Sequence, residues 1–192
     1  VRHFSPHLEI LPPPQRKLWS ELSEVSREFV LYGGTALALH LGHRSSVDFD
    51  FFGSRALDLS QVEQGISFLS APEVAEDNGL DVASLLDLAG TKASVVQMRA
   101  EAKDYIDIDA LITAGKVDLP LAIAAAQRLY GSTFNPQITL KALSFFDDGD
   151  LSQLPQETKL RLAMAAREVD LDRLPSIDKF TRQIDRNCGY DL

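Results

Sequence analysis

The sequence is poor in the residues that build cross-linked or membrane-spanning proteins. It has one cysteine, one tryptophan and two methionines in 192 residues. A lone Cys188 cannot close an internal disulfide or form a cysteine-rich zinc site, which fits a reducing compartment and a cytoplasmic protein. Its neighbours Asn187 and Gly189 supply no activating base, so thiol catalysis is not indicated. No apolar run approaches the ~18 to 20 residues that cross a bilayer. The start Val1-Arg2-His3-Phe4 has no apolar signal core, so a soluble protein with no membrane partner is expected. Positive charge is also scarce: 19 Lys and Arg stand against 28 Asp and Glu, a formal charge of −9. That balance does not suit a broad phosphate-tracking surface, although it leaves room for a small basic patch.

What is present is enough apolar material for a core, 45% of the chain. After Pro12-Pro13-Pro14, the recurrence of Leu18, Trp19, Leu22 and Val25 predicts a short helix. The β-branched and aromatic run Phe29-Val30-Leu31-Tyr32 reads as a buried strand ended by Gly33-Gly34, with a helix over 35–41 stopped by Gly42. A second strand is expected over 47–52, a short helix over 59–64 and a third strand over 65–69. From Ser84 onward only helices are expected. Ser84 and Asp87 form a capping pair opening a helix toward Arg99. Further helices are expected over 103–114, 121–130, 135–146 and 156–169, the last with Leu160, Leu162, Ala163, Ala166 and Val169 on its apolar face. The division expected is an α/β core over 1–83 and a helical region over 84–192 packed on it.

Two features carry chemistry. Gly33 and Gly34 stand where a strand turns into a helix, so unpaired N–H groups and the positive end of the helix dipole face outward. Thr35 adds a hydroxyl donor. The same pair also serves as an ordinary tight turn. In Val47-Asp48-Phe49-Asp50-Phe51-Phe52, period-two alternation puts Asp48 and Asp50 on one face, about 7 Å apart at ~3.3 Å per residue. Neighbouring carboxylates repel unless solvent or a cation separates them, and magnesium takes oxygen ligands from one or two such groups. A wet edge strand is the alternative reading. Taken together, Gly34 and Asp48 are separated by enough chain for one short helix and a return, so phosphate on the glycines and metal on the aspartates would share a crevice.

These runs, Tyr32-Gly33-Gly34-Thr35-Ala36-Leu37 and Gly42-His43-Arg44-Ser45-Ser46-Val47-Asp48-Phe49-Asp50-Phe51-Phe52, resemble the AbiEii/AbiGii toxin family of nucleotidyltransferases, a branch of the polymerase-β-like superfamily. Downstream, Lys92, Arg99, Lys103, Asp104 and Asp107 resemble that family's basic and acidic motif. The resemblance spans about 29–111. It implies an α+β fold: a small mixed-sheet nucleotidyltransferase core with a helical C-terminal region. It further implies a nucleoside triphosphate with Mg2+, transfer of a nucleoside monophosphate to an acceptor hydroxyl, and a toxin opposed by a separate winged-helix antitoxin. Acceptors in the superfamily include transfer RNA, protein side chains and small molecules.

By this analogy Asp48 and Asp50 hold the metal and Gly33, Gly34 and Thr35 the phosphates. Lys92 contacts phosphate with Asp104 as its partner, and Arg44, Arg99 and Lys103 assist. On one continuous helix Lys92, Arg99 and Lys103 would fall at i, i+7 and i+11, close to one stripe, which equally describes a solvated face. His43 beside Arg44 is within reach of the same nucleotide. The superfamily's third carboxylate has no match, because Ser67 stands on the expected third strand and the nearest acids are Asp58, Glu63 and Asp81. A catalytically impaired nucleotide-binding or regulatory protein is therefore the alternative function.

Overall fold

A computed structural model describes residues 1–53, 69–114 and 116–177. The expected helix over 59–64, most of the expected strand over 65–69, and Asp58, Glu63, Ser67 and Cys188 lie outside the described residues. Strand β2 (Phe29–Tyr32) lies inside the sheet, with Val30 and Leu31 fully buried. It pairs antiparallel with β3 (Asp50–Gly53), Tyr32 opposite Asp50, and parallel with β5 (Asp81–Val82), Leu31 opposite Val82. Beyond β5 lie β4 (Glu73–Ala75), antiparallel to it, and β1 (Arg2–Phe4), parallel to β4. The result is a mixed five-stranded sheet in the order β1-β4-β5-β2-β3. The α+β architecture matches the expectation; the short strands β1, β4 and β5 were not foreseen.

Seven α-helices accompany the sheet among the described residues: α1 (Pro13–Glu21), α2 (Gly33–Leu41), α3 (Leu85–Val95), α4 (Ala102–Thr113), α5 (Leu119–Tyr130), α6 (Pro136–Ala142) and α7 (Gln156–Glu168). Local chemistry accounts for most of their starts. Prolines occupy the first turns of α1, α5 and α6, where a missing N–H costs nothing. Ser84, Asp118 and Asn135 accept first-turn N–H groups as N-caps of α3, α5 and α6. Helix α2 ends at Gly42 in the left-handed region.

Two helix ends fall short of expectation. Helix α6 stops at Ala142 rather than running on to 146. Helix α3 stops at Val95 rather than continuing toward Arg99. The break after α3 is set from elsewhere in the chain: Asp150 Oδ1 accepts the Ala102 N–H at 2.6 Å, and Gly149 lies so close to the Ala100 carbonyl that a side chain there would overlap it. On α7, Leu162 and Ala166 bury while Leu160 is 55% exposed, so the apolar face is narrower than the sequence suggests.

Close helix packing positions the site. A Cβ on Gly90 of α3 would lie 2.9 to 3.0 Å from Leu129 and Ala125, so glycine lets α3 lie against the alanine face of α5. One buried cluster joins β2, α2, α3, α4, α5 and α7, including Leu31, Leu37, Leu88, Leu111, Ile123 and Leu162. Fully buried Asp87 at the start of α3 accepts the Leu69 and Ser70 N–H groups and the Ser84 hydroxyl, fastening the returning chain to the helix. No helix among the described residues is long and apolar enough to cross a membrane.

Candidate nucleotide and metal site

The strand-to-helix turn favours glycine, at Gly33 through its backbone and at Gly34 through a close side chain. Tyr32 is extended, and Gly33 follows at φ +77°, where an L side chain is strained. A Cβ on Gly33 would overlap the Asp50 carboxylate, and one on Gly34 would overlap the Arg44 guanidinium. The two absent side chains therefore let an acid and a cation come directly onto the N-terminus of α2. Thr35 is buried, and its hydroxyl donates to the Asp48 carbonyl and lies 2.7 Å from the Ser46 hydroxyl. It ties the 43–49 loop to α2 instead of facing outward.

Asp48 precedes β3 rather than lying within it, and Asp50 is the first residue of that strand. The alternation holds across the junction, with Asp48 and Asp50 exposed and Phe49 and Phe51 half-buried. Phe49 stacks on buried Trp19 at 6.2 Å between centroids, which anchors the loop between the two acids. Among the described residues neither carboxylate has an ion pair or hydrogen bond to its side chain. Two unpaired hard oxygen donors suit magnesium, which completes its shell with water and phosphate. No group of three or more potential ligands occurs among the described residues, so the fit rests on this pair.

Behind the turn lies a buried ionic cluster. Lys92 Nζ sits 2.7 Å from Asp104 Oδ1 and 2.6 Å from Asp107 Oδ2, with both acids fully buried. Arg44 Nε and Nη2 donate to the two oxygens of Asp107 at 2.6 and 2.9 Å, and His43 Nε2 lies 2.7 Å from Oδ1. Arg99 donates to both oxygens of Asp104 at 2.8 and 3.2 Å. Three cations thus face two buried carboxylates, with Arg99 also 3.6 Å from Glu101, and Arg44 and Lys92 bring positive charge beside Gly34.

Burial alone would raise the Asp107 carboxyl; hydrogen bonds from His43 and Arg44 and the charges of Lys92 and Arg44 outweigh it and hold the group well below the usual carboxylate range. Burial works against the Arg44 charge, but its pairing with Asp107 raises it beyond the ordinary guanidinium value.

The single stripe of Lys92, Arg99 and Lys103 does not form, because the chain turns between α3 and α4. Lys92 is on α3, Arg99 in the turn and Lys103 in the first turn of α4, exposed and paired with Glu101 at 2.8 Å. Arg99 reaches the cluster only because the turn folds it back onto Asp104. The expected neighbours Lys92 and Asp104 lie 2.7 Å apart, while Asp107 was not expected as the shared acceptor of Lys92, Arg44 and His43. Its partners His43 and Arg44 lie 64 and 63 residues away, beyond any local pattern. The adjacent pair His43-Arg44 just before an acidic strand was the one available cue.

A family model described as "Nucleotidyl transferase AbiEii toxin, Type IV TA system" matches residues 17–81 and 66–183. An uncharacterised protein of Aquifex aeolicus (strain VF5) is 30% identical, over a stretch covering 65% of this chain and 76% of that relative. No solved structure matches the chain at a significant level. The family match takes in the glycine turn, both exposed aspartates and the Lys92 cluster, and the chain belongs to the AbiEii nucleotidyl transferase toxin family of type IV toxin–antitoxin systems.

Proposed function

We propose that this chain transfers a nucleoside monophosphate from a nucleoside triphosphate to a hydroxyl of an acceptor, acting as a toxin restrained by a separate antitoxin of the winged-helix kind. The observation that carries the reading is the double overlap at the glycine turn, with Asp50 over Gly33 and Arg44 over Gly34. An acid able to hold a metal and a cation able to hold a phosphate then meet at one helix N-terminus.

In this reading Asp48 and Asp50 hold Mg2+. Bound there, the ion polarises the α-phosphate and offsets charge on the departing pyrophosphate. The Gly33 and Gly34 amides and the α2 dipole receive the anionic tail, with the Asp50 carboxylate and the Arg44 guanidinium beside it. Thr35 acts by fixing the Asp48 backbone. Arg44 faces the phosphates from above Gly34. Lys92 lends its charge from beneath, and contacts a phosphate only by releasing one of its two carboxylates. Arg99 keeps Asp104 compensated when it does so, while Lys103, paired at the surface, is left for the acceptor.

Each α-labelled nucleoside triphosphate, incubated with magnesium, the chain and total RNA or protein, tests this. Label on an acceptor that disappears with D48N/D50N is the expected result; no binding of any nucleotide would sink it. The second reading, a nucleotide-binding protein without turnover, has one observation in its favour. Asp81 stands on β5, level with Val30 of β2 and Phe52 of β3, so it lies more than two strand spacings, roughly 9 to 10 Å, from Asp50 and too far to share an ion with it. Magnesium-dependent binding with no label transfer would favour that reading.

A further inference from the structure

His43 lies in the turn between α2 and β3 with its side chain 10% exposed, and Nε2 faces Asp107 Oδ1 at 2.7 Å. An ionised carboxylate only accepts, so Nε2 carries the hydrogen and donates it. The other ring nitrogen, Nδ1, is buried and has no hydrogen-bond partner among the described residues. Most buried ring nitrogens have a partner that fixes them as donor or acceptor. Here nothing does, so Nδ1 is held neither as a donor nor as an acceptor.

The charged groups facing the ring are few. From α4 comes Asp107; from α3 comes Lys92, which Asp107 shares with Asp104; from the ring's own loop comes Arg44. With Arg44 in place, Asp107 has a whole guanidinium and a share of Lys92. If Arg44 turns toward a phosphate at Gly34, Asp107 keeps only its share of Lys92 in a fully buried position, where an under-compensated carboxylate is costly.

We propose that His43 is a positioning residue that keeps Asp107 compensated during nucleotide binding, taking a proton from solvent at Nδ1 as Arg44 moves to the phosphate. The inference rests on the reading of the glycine turn as the nucleotide site. No covalent bond changes: one proton leaves the buffer and joins the imidazole. The bond from Nε2 to Asp107 then becomes charge-assisted, replacing what Arg44 withdrew. Histidine suits this role because its charge ordinarily changes near neutral pH. Binding of the anion is thereby linked to proton uptake, and a full proton of linkage changes Kd by up to about tenfold per pH unit.

The test is calorimetric titration of the full chain with ATP, GTP, CTP and UTP in turn, with magnesium, in buffers of different ionisation enthalpy between pH 6 and 8. The slope of heat against buffer enthalpy counts protons, and the same titrations on H43Q and H43N subtract those taken by the nucleotide. Glutamine keeps a donor toward Asp107 and has no titrating lone pair. The wild type should take up more protons per nucleotide than either variant, with its Kd tightening more steeply as pH falls. Equal proton counts and parallel Kd profiles in wild type and H43Q overturn the role of His43 while leaving the nucleotide site standing. Failure of the wild type to bind any nucleotide overturns both.

Discussion

Asp107 and Asp109 sit two residues apart on α4, about 200° apart around its axis, so one faces α2 and α3 and the other α7. Both are buried and both are paired. Asp109 is matched by a single cation: Arg161 donates to its two oxygens at 2.8 and 2.6 Å, and Thr158 adds a hydroxyl at 3.0 Å. Asp107 is matched by Lys92, Arg44 and His43 together, and one nitrogen of the His43 ring has no partner among the described residues. A complete one-to-one match locks α4 to α7 and leaves nothing for a ligand. A cluster of cations next to two side-chain-free residues brings charge that an anion can use. The proposed ligand site is distinguished by its cluster of cations, not by burial or by ion pairing as such.

The sharpest way to break the comparison is D107N. It strands Lys92 and Arg44 beside one remaining carboxylate, so stability should fall by about 3 to 5 kcal/mol in denaturant unfolding, with nucleotide binding lost. D107A tests the same point with the acceptor removed altogether.

Acid titration comes next, because it separates Asp107 from the buried His40. His40 is buried, stacked on Phe4 at 4.0 Å, with Nε2 donating to the Ala83 carbonyl, and burial pushes its pKa down to about 4. The unfolded chain therefore binds the proton first. Stability from neutral His40 is complete above the ordinary value of about 6.5 and is lost as pH falls toward 4, a total of about 3 kcal/mol. The Asp107 carboxyl, held low, contributes stability that is full above about pH 4 and lost only below it. Thermal melts from pH 7 to 4 should show the first loss, and H40Q should flatten it.

A smaller effect tests the glycine turn. G33A puts a side chain at positive φ and against the Asp50 carboxylate, costing about 1 to 2 kcal/mol of stability. Its magnesium-dependent nucleotide affinity should fall by about tenfold or more, the equivalent of ~1.4 kcal/mol. The smallest effect on function belongs to D109N. It should lower the melting temperature less than D107N does, because Arg161 is partly exposed and retains Glu157 at 2.6 Å, and it should leave nucleotide affinity unchanged.

The parts of this site that follow local rules were legible in the sequence. Phe29 to Tyr32 reads as a strand from composition, Gly33 and Gly34 as its turn, and Asp48 and Asp50 as one face from a two-residue period. The caps Ser84 and Asn135 were legible for the same reason. What stayed hidden depends on contacts far along the chain. The strands β1, β4 and β5, two or three residues each, exist only through pairing with their neighbours. The stretch Val95 to Arg99 contains no glycine or proline to announce the end of α3; Gly149 and Asp150 impose the turn there. The convergence of His43, Arg44 and Lys92 on Asp107 has no sequence spacing to betray it.

The most direct measurement is magnesium-dependent nucleoside triphosphate binding to D50N and D109N side by side, with circular dichroism confirming that both fold. If the clustered cations and the unpaired acids at the glycine turn form the nucleotide site, D50N loses the magnesium-dependent part of the affinity and D109N binds as the wild type does. Equal affinity in D50N and wild type, or a loss in D109N that matches the loss in D50N, would contradict it.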